Sequence, residues 1–180
     1  MVTLIWGGWR GWGKPPIGER ILTTMLMTDI AGSTDRVSAV GDAVWDKLLH
    51  RHNTLVREIL ERYRGTEIDT AGDGFLVMFD GAARAVQSAL EIRTAVRGIG
   101  LDIRVGVHTG EIEIVGPNVA GIAVHIGARV MAEAGPGVVI ATSTVRDLSV
   151  GAPIVFEDRG SHELRGVPGT WQLFEAFEAG

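Results

Sequence analysis

The sequence contains no cysteine, which excludes disulfide bonds and thiolate metal sites. Its apolar stretches are of strand length or are interrupted by charges, so no transmembrane helix is expected. A basic excess is also missing, because 17 Lys and Arg stand against 22 Asp and Glu, a formal net charge of −5. Binding of nucleic acid would need a basic surface. With no signal-peptide pattern at the N-terminus, we expect a soluble cytoplasmic protein without membrane insertion or a nucleic-acid partner.

The length of 180 residues is that of one domain, but the first 19 residues differ from the rest. Residues 1–19 are rich in glycine and contain Trp6, Trp9 and Trp12, and a Pro-Pro pair follows. This composition predicts a flexible leader or the remnant of an upstream domain. The alternative is an aromatic clip that covers its tryptophans on a partner or on the domain itself. We assign residues 20–178 to the folded domain.

Two aspartates adjoin short apolar strands. Residues 21–30, ILTTMLMTDI, are apolar and β-branched until Asp29. Residues 66–79, TEIDTAGDGFLVMF, are typical of two strands around a tight turn, with Asp73 between the turn glycines. If the strands pair side by side, the two carboxylates meet and supply the hard oxygen ligands that Mg²⁺ prefers. Taken alone, Asp73 is equally typical of a turn former, and Asp29 of a helix-cap region.

Helical periodicity follows the first strand. Ser33 or Thr34 can cap a long helical region, which Gly41-Asp42 interrupts, with Asp42 capping the second piece. His52 falls within the apolar stripe of this region, and we interpret it as a packed, hydrogen-bonded residue. Further helices are expected at residues 82–96, 121–134 and 142–148.

The second half of the chain alternates strands with these helices. Strict alternation from Leu101 predicts a half-buried strand, a turn at Thr109-Gly110, and a return strand over residues 111–115. C-terminal strands are expected at residues 154–158, 161–165 and 171–177. The order is compatible with an α+β fold, a βαββαβ core with helices on one face of an antiparallel-rich sheet.

Four segments carry a resemblance to a known family: LMTDIAGST, DTAGDGFLVMF, IRVGVHTGE and GIAVHIGARV. In order and spacing they resemble the class III nucleotidyl cyclase catalytic domain, the fold of adenylyl and guanylyl cyclases. The resemblance runs from about residue 20 to residue 177. It implies a ferredoxin-like βαββαβ core with extra C-terminal strands, and active sites shared across a homodimer.

The resemblance also implies two divalent ions, Mg²⁺ or Mn²⁺, held by the carboxylates of Asp29 and Asp73. Ile30, where the first strand joins the following loop, is expected to be a further residue of the metal site. The loop that follows leads into a helix N-terminus, where free backbone N–H groups suit phosphate oxygens. The residues of this segment expected to bind nucleotide are Ile30, Gly32, Ser33 and Thr34.

A second group of expected site residues lies on the helix over residues 121–134. His125 and Arg129 are four residues apart and share one helix face, beside an apolar row expected to pack inward, Ile122, Ile126 and Val130. In the family the matching pair is usually Asn and Arg, which contact the ribose and the α-phosphate in the transition state. Arg129 fits this pattern and His125 departs from it, although His125 can still donate a hydrogen bond. The alternative is that Arg129 pairs with Glu133.

Base recognition is implied at two positions that depart from the family. Asp69 stands where adenylyl cyclases typically have Lys, and Asn118 stands where they have Asp or Thr. Asn118 can read the adenine edge, whereas ionised Asp69 can only accept, from adenine or from guanine. Both could also be ordinary surface residues. Arg165, in a segment that resembles the family's C-terminal hairpin, matches a Lys that contacts the phosphates, and Arg keeps that charge.

The sequence therefore predicts a homodimeric, metal-dependent adenylyl cyclase that converts ATP into 3′,5′-cyclic AMP and pyrophosphate. A guanylyl cyclase acting on GTP is the nearest alternative. A nucleotide-binding regulatory or dimerisation module without turnover is the third.

Overall fold

A computed structural model describes residues 18–70 and 72–180. The leader predicted over residues 1–19 lies, apart from its last two residues, outside this part. Its flexibility and its tryptophans therefore stay predictions. No helix in the described ranges is long and apolar enough to cross a membrane.

Eight strands of the described residues form one mixed sheet, in line with the α+β fold that the sequence predicts. The strands are β1 (Arg20–Ile30), β2 (Thr66–Asp69), β3 (Phe75–Phe79), β4 (Ile103–Val115), β5 (Asn118–Ala120), β6 (Val139–Thr142), β7 (Ile154–Glu163) and β8 (Thr170–Glu178). Seven of them follow the order β2-β3-β1-β4-β6-β8-β7, and β5 pairs with β4 beside this path. The β4–β6 pair is parallel and the other pairs are antiparallel.

Within the described ranges, five helices cover this sheet on both faces. They are α1 (Ser33–Val40), α2 (Asp42–Arg62), α3 (Ala82–Arg97), α4 (Ile122–Ala132) and α5 (Ser143–Leu148). The main core, which includes Leu26 of β1, lies between the sheet and α2, α3 and α5. Met25, the preceding residue, packs on the opposite face with Ala123 of α4. The expectation of helices on one face is therefore wrong, because successive side chains of a buried central strand point to opposite faces and both need cover.

The expected turn at Thr109-Gly110 is also wrong, since β4 continues through it for 13 residues. Its residues 103–113 pair with the whole of β1, from Ile30 opposite Ile103 to Arg20 opposite Glu113. Gly110 serves helix packing instead of a turn: a Cβ there would lie 2.7 Å from the Cβ of Ala123 on α4. The chain reverses only after Val115.

Helix α4 lies unusually close to the sheet because glycines occupy the contact points. A Cβ on Gly106 of β4 would lie 2.4 Å from the backbone nitrogen of Met131, so no other residue fits there without displacing the helix. Gly127 of α4 likewise leaves room for the end of Met27. These contacts fix the helix that carries His125 and Arg129.

The cap expected at Ser33 or Thr34 is replaced by Gly32. Gly32 has a φ of 68°, the left-handed conformation that glycine adopts without strain, and no side chain caps the helix. Ser33 is the first residue of α1. The interruption at Gly41-Asp42 is confirmed, but Gly41 is the cap and Asp42 the first residue of α2.

The strands expected at residues 154–158 and 161–165 form one strand, β7. An irregularity in its register with β8 between Asp158 and Ser161 explains the apparent break in the pattern. Ile122, expected to pack inward, is 53% exposed, while Ile126 and Val130 are buried as expected.

Candidate functional site

The sheet brings the two aspartates to the same end of neighbouring strands. Thr28 of β1 lies opposite Phe75 of β3 in antiparallel register. Asp29 is the next residue along β1, and Asp73 comes two residues before Phe75, in the turn between β2 and β3. Paired strands lie about 5 Å apart, so the backbone positions of Asp29 and of the Asp73 turn are neighbours at this end of the sheet.

The Asp73 carboxylate has one oxygen atom that the fold buries. Its Oδ2 atom is buried and has no hydrogen-bond partner among the described residues. A buried carboxylate oxygen without a partner is costly. Asp73 therefore has a carboxylate oxygen that the fold buries without a hydrogen-bond partner in the described part of the chain, unlike an ordinary turn residue on the surface.

Asp29 is paired with a cation that sequence analysis missed. Arg104 lies directly opposite Asp29 on β4, and its Nη2 donates a hydrogen bond to Asp29 Oδ2. Both side chains are partly exposed, at 37% and 26% for Arg104 and Asp29. The Nε of Arg104 is buried and has no partner in the described part of the chain. The ion pair therefore places the Arg104 guanidinium at the edge of the aspartate site. Its Nε–H is a donor that could bind a further acceptor.

The donor set fits a hard divalent cation. Asp29 and Asp73 supply carboxylate oxygens, and the Asp73 oxygen without a partner is the feature that a metal ion would satisfy. Within the described ranges no group of three or more His, Cys, Asp or Glu side chains could hold a metal ion. Two carboxylates suffice for Mg²⁺, which completes its shell with water and substrate phosphates.

The segment after Asp29 provides backbone donors beside the carboxylates. Ile30 is buried at the end of β1, and the N–H of Ala31 donates to the carbonyl of Asp102, at 2.9 Å. The first backbone bond of α1 runs from the N–H of Arg36 to the carbonyl of Gly32, at 3.1 Å. The N–H groups of the preceding turn, which includes Ser33 and Thr34, therefore precede the helical ladder and are free to face an anion.

The two residues expected on α4 are both exposed and lie one turn apart. Arg129 forms no ion pair within the described part of the chain. Glu133 accepts instead from His162 Nδ1, at 3.1 Å, so the alternative of an Arg129–Glu133 pair is wrong. The cation paired with Asp29 is Arg104, and the structure does not join His125 or Arg129 to the aspartates within one chain.

Asp69 and Asn118, expected to read the base, are exposed on neighbouring strands. A register irregularity places Asp69 opposite Leu76, on the α4 side of the sheet. Ile68 of β2 and Val119 of β5, each adjacent to one of these residues, pack against the same hydrophobic cluster. The two candidates thus border one apolar surface.

Strand β2 is anchored by α2. Arg57 donates two hydrogen bonds to the Glu67 carboxylate, at 2.9 and 2.8 Å, and Thr70 donates a third. The Arg57 hydrogen bonds lower the pKa of Glu67, and the Glu67 hydrogen bonds raise the pKa of Arg57. Because β2 ends beside the Asp73 turn, this network fixes one edge of the site.

Arg165, the last expected phosphate contact, is exposed in the loop between β7 and β8. The neighbouring Leu164 and Val167 are buried in the cluster beneath α4, which anchors the loop on the α4 side. The structure does not bring Arg165 into contact with the aspartates within one chain.

Comparison with known proteins identifies the family. The sequence model of the adenylate and guanylate cyclase catalytic domain matches residues 20–175. The chain belongs to this family. A putative adenylate cyclase of Rhizobium meliloti is 27% identical over 158 residues, which cover 83% of this chain and 27% of that protein. The chain therefore spans about a quarter of that relative's length.

Solved structures of the family share the fold. The adenylyl cyclase CyaB from P. aeruginosa superposes with a TM-score of 0.81 at 20% identity, covering 89% of this chain and 95% of that chain. The guanylyl cyclase Cya2 gives 0.79 at 23% identity, covering 92% and 96%. These similarities confirm the class III cyclase fold. Adenylyl and guanylyl cyclases both match, and the family generally uses divalent metal ions.

The cyclase domain contains a second buried histidine besides His52. His108 of β4 is 4% exposed, with its Nδ1 3.0 Å from Thr142 Oγ1 and its ring edge-on to Trp171, at 5.7 Å. Burial lowers the pKa of His108 to about 4. The ring is therefore neutral at physiological pH and supports the sheet beneath α4.

Sequence reasoning missed Arg104 and the Arg57–Glu67 pair. Arg104 belongs to the polar half of an alternating strand, which is typical of any half-buried strand. Its importance comes from the β1–β4 register, which places it opposite Asp29, and no local pattern carries that information. Arg57 and Glu67 are ten residues apart on different elements, so they too required the fold.

Proposed function

We propose that this domain is an adenylyl cyclase, which converts ATP into 3′,5′-cyclic AMP and pyrophosphate. The observation that carries the proposal is the pair of carboxylates at adjacent strand ends, with a buried, unpaired Asp73 oxygen and with Arg104 beside Asp29. In the reaction the ribose 3′-oxygen bonds to the α-phosphorus, the bond to the pyrophosphate oxygen breaks, and the hydroxyl proton is lost. We place the reaction in the cytoplasm, where ATP and Mg²⁺ are both present.

The half of the site that contains Asp29 and Asp73 would bind the metal ions and the phosphates. Asp29 and Asp73, with the backbone of Ile30, would hold Mg²⁺ or Mn²⁺. Such ions activate the attacking hydroxyl and stabilise charge on the leaving oxygens. Arg104 can exchange its bond with Asp29 for phosphate oxygens, because a guanidinium donates in a fork that matches both groups. The N–H groups at the start of α1 would bind the remaining phosphate oxygens.

The other half of the site would come from a second copy of the chain. Arg129 and His125 point to solvent on α4, and Asp29 takes its charge partner from β4. In a symmetric homodimer, Arg129 of one copy would stabilise the transition state over the aspartates of the other, with His125 donating to the ribose and Arg165 contacting the polyphosphate.

A partly covered apolar surface supports this assembly. Around the buried cluster of Met25, Met78, Ile112, Ile114 and Ala123 lie half-buried apolar side chains, Ile21, Ile68, Leu76, Val119 and Val124. Ile122 adds a largely exposed side chain at the start of α4. Apolar surface of this kind marks an interaction site. Its position, on the face that carries α4, is where the shared-site arrangement requires the partner.

The choice of base rests on Asp69 and Asn118. Asn118 offers both a donor and an acceptor, which matches the N1 and N6 positions of adenine, and ionised Asp69 can accept from the N6 amino group. GTP is the second candidate because the carboxylate of Asp69 also suits the N1–H and N2–H donors of guanine. ATP is preferred because guanylyl cyclases typically have a small Cys or Ser at the position of Asn118.

Incubation of the purified chain with ATP or with GTP and Mn²⁺, followed by chromatography of the products, tests the proposal. We expect cyclic AMP and pyrophosphate from ATP, at a higher rate than cyclic GMP from GTP. Predominant cyclic GMP would reverse the base assignment. Nucleotide binding without any cyclic product would make the domain a binding module.

A further inference from the structure

Three buried polar atoms on segments next to Phe75 have no hydrogen-bond partner among the described residues. They are Thr28 Oγ1, His52 Nε2 and Asp73 Oδ2. Thr28 lies opposite Phe75 in the β1–β3 register, and the His52 ring packs against Phe75 with 5.8 Å between the ring centres. Asp73 is two residues before Phe75 in the chain. A donor on α2 and an acceptor in the turn are thus both buried and unsatisfied on adjoining segments.

His52 is deeply placed for a polar side chain on a surface helix. It is 0% exposed, and its Nδ1 lies 2.9 Å from Asn53 Oδ1. Burial lowers the pKa of His52, and the Asn53 hydrogen bond and the charge of Asp73 offset part of that effect. The ring is therefore neutral and lies within electrostatic range of the Asp73 carboxylate.

We propose that His52 is a positioning residue for Asp73: when one Asp73 oxygen binds a metal ion, the Nε2–H of His52 donates to the buried Oδ2, a bond that neither atom makes in this structure. This inference rests on the proposed function, in which Asp73 is a metal ligand. The neutral ring carries one N–H, so Nδ1 must be the acceptor. The side-chain amide of Asn53 then donates to Nδ1 through its Nδ2, the orientation in which its nitrogen and oxygen exchange places.

A hydrogen bond of this kind matters because a metal-binding carboxylate acts through its orientation. A ligand with one oxygen fixed from behind presents the other in a constant direction, and loss of such support typically weakens metal binding 10- to 100-fold. Without His52 the buried oxygen stays unpaired, and the turn that carries Asp73 is free to rotate the carboxylate away from the site.

The first test is Mn²⁺ binding, measured from the electron paramagnetic resonance signal of the free ion, with the full chain and the metal alone. His52→Met, of similar volume without a donor, should bind Mn²⁺ about tenfold more weakly than the wild type. His52→Gln, which keeps a donor, should recover most of the affinity. His50→Gln, a change at an exposed histidine two residues away, is the matched control and should match the wild type.

The outcomes separate this inference from the proposed function. Wild-type binding that Asp73→Asn removes, together with normal binding in a folded His52→Met, overturns the role of His52 alone. Absence of Mn²⁺ binding by the wild type overturns both proposals. If His52→Met does not fold, the position of the proton on the wild-type His52 ring decides: a proton on Nε2 supports the proposal, and a proton on Nδ1 contradicts it.

The second test reads the proton position directly and does not depend on activity. The ¹⁵N shifts of the imidazole ring distinguish protonated from unprotonated nitrogens, and the spectrum of His52→Gln identifies the His52 signals. We expect the Nε2–H tautomer in the wild type and a shift toward the Nδ1–H tautomer in Asp73→Leu, which lacks the acceptor. A wild-type ring with its proton on Nδ1 would overturn the hydrogen bond to Asp73.

Discussion

Arg104 and Asp29 lie opposite each other on β4 and β1 and form an ion pair at the edge of the aspartate site. The pair gives one carboxylate a positive neighbour, while Asp73 has an unpaired oxygen. The two aspartates therefore differ in their electrostatic surroundings. The ion pair with Asp29 would hold the Arg104 guanidinium in a fixed orientation before a polyphosphate binds.

Replacement of Arg104 tests this role. In Arg104→Met, which keeps an unbranched apolar stem without the charge, we expect kcat/KM for MgATP to fall about 10- to 100-fold, the loss typical of a hydrogen bond to a charged group. Arg104→Lys should retain part of the activity, since it keeps the charge without the fork. Steady-state kinetics at saturating Mg²⁺ provide the measurement. Unchanged kcat/KM in Arg104→Met would limit Arg104 to a structural pairing.

Asp73→Asn tests the metal assignment. Loss of one charged ligand removes transition-state stabilisation and leaves the core unchanged, so we expect turnover to fall roughly 100-fold or more with little change in Tm. The matched control is Asp80→Asn, at the other end of β3, where the carboxylate pairs with Arg84 on the surface. Near-normal turnover in Asp73→Asn would remove the metal site from these residues.

The base pocket is tested by selectivity. Asp69→Asn and Asn118→Ala should each change the ratio of kcat/KM for ATP to that for GTP by about tenfold, because each alters hydrogen bonds to the base edge. Glu67→Gln is the control on the same strand. It weakens the contact with Arg57 and should lower stability by roughly 1 kcal/mol without changing the ratio. A ratio that stays constant in both pocket variants places the base elsewhere.

Local patterns predicted the strands that adjoin the two aspartates because they report burial and turn geometry over short stretches of chain. The apolar runs before Asp29 and after Asp73 required strands whatever lies beside them. Gly110 shows the limit of such reasoning. A glycine within alternating residues predicts a turn as readily as a close helix contact, and only the position of Ala123 on α4 decides between them.

Several relationships that sequence reasoning missed depend on pairing across the sheet. Helices cover both faces of the sheet because β1 is a central strand. Its central position is a property of the strand order. Asp69 faces the α4 side because of a register irregularity opposite Leu76, and Arg104 meets Asp29 because β4 pairs with the whole of β1. None of these relationships leaves a local signal, since the partners are distant in sequence.

His108 predicts a pH dependence of stability. Its pKa is lowered from 6.5 to about 4 in the folded state, so the unfolded state binds the proton more tightly. The contribution of the neutral ring is complete above pH 6.5 and is lost as the pH falls toward 4. Full loss corresponds to roughly 3 kcal/mol, from about 1.4 kcal/mol per pKa unit.

Urea unfolding at pH 7.5 and at pH 5 measures this contribution. The free energy of unfolding should fall with pH in the wild type and fall less steeply in His108→Asn, which cannot titrate in this range. The exposed His50 is the control, and His50→Asn should keep the wild-type slope. Equal slopes in the wild type and His108→Asn would contradict the buried, neutral state of His108.

The central claim is that aspartates of one copy act with Arg129 of another, and mixing two inactive proteins tests it most directly. Asp73→Ala and Arg129→Ala should each be inactive alone. After subunit exchange, about half of the dimers are mixed, and each mixed dimer has one intact site and one doubly defective site. We predict that cyclic AMP formation recovers to about a quarter of the wild-type rate. Activity that stays at the level of the single variants, with exchange confirmed by differently tagged copies, would contradict the shared site.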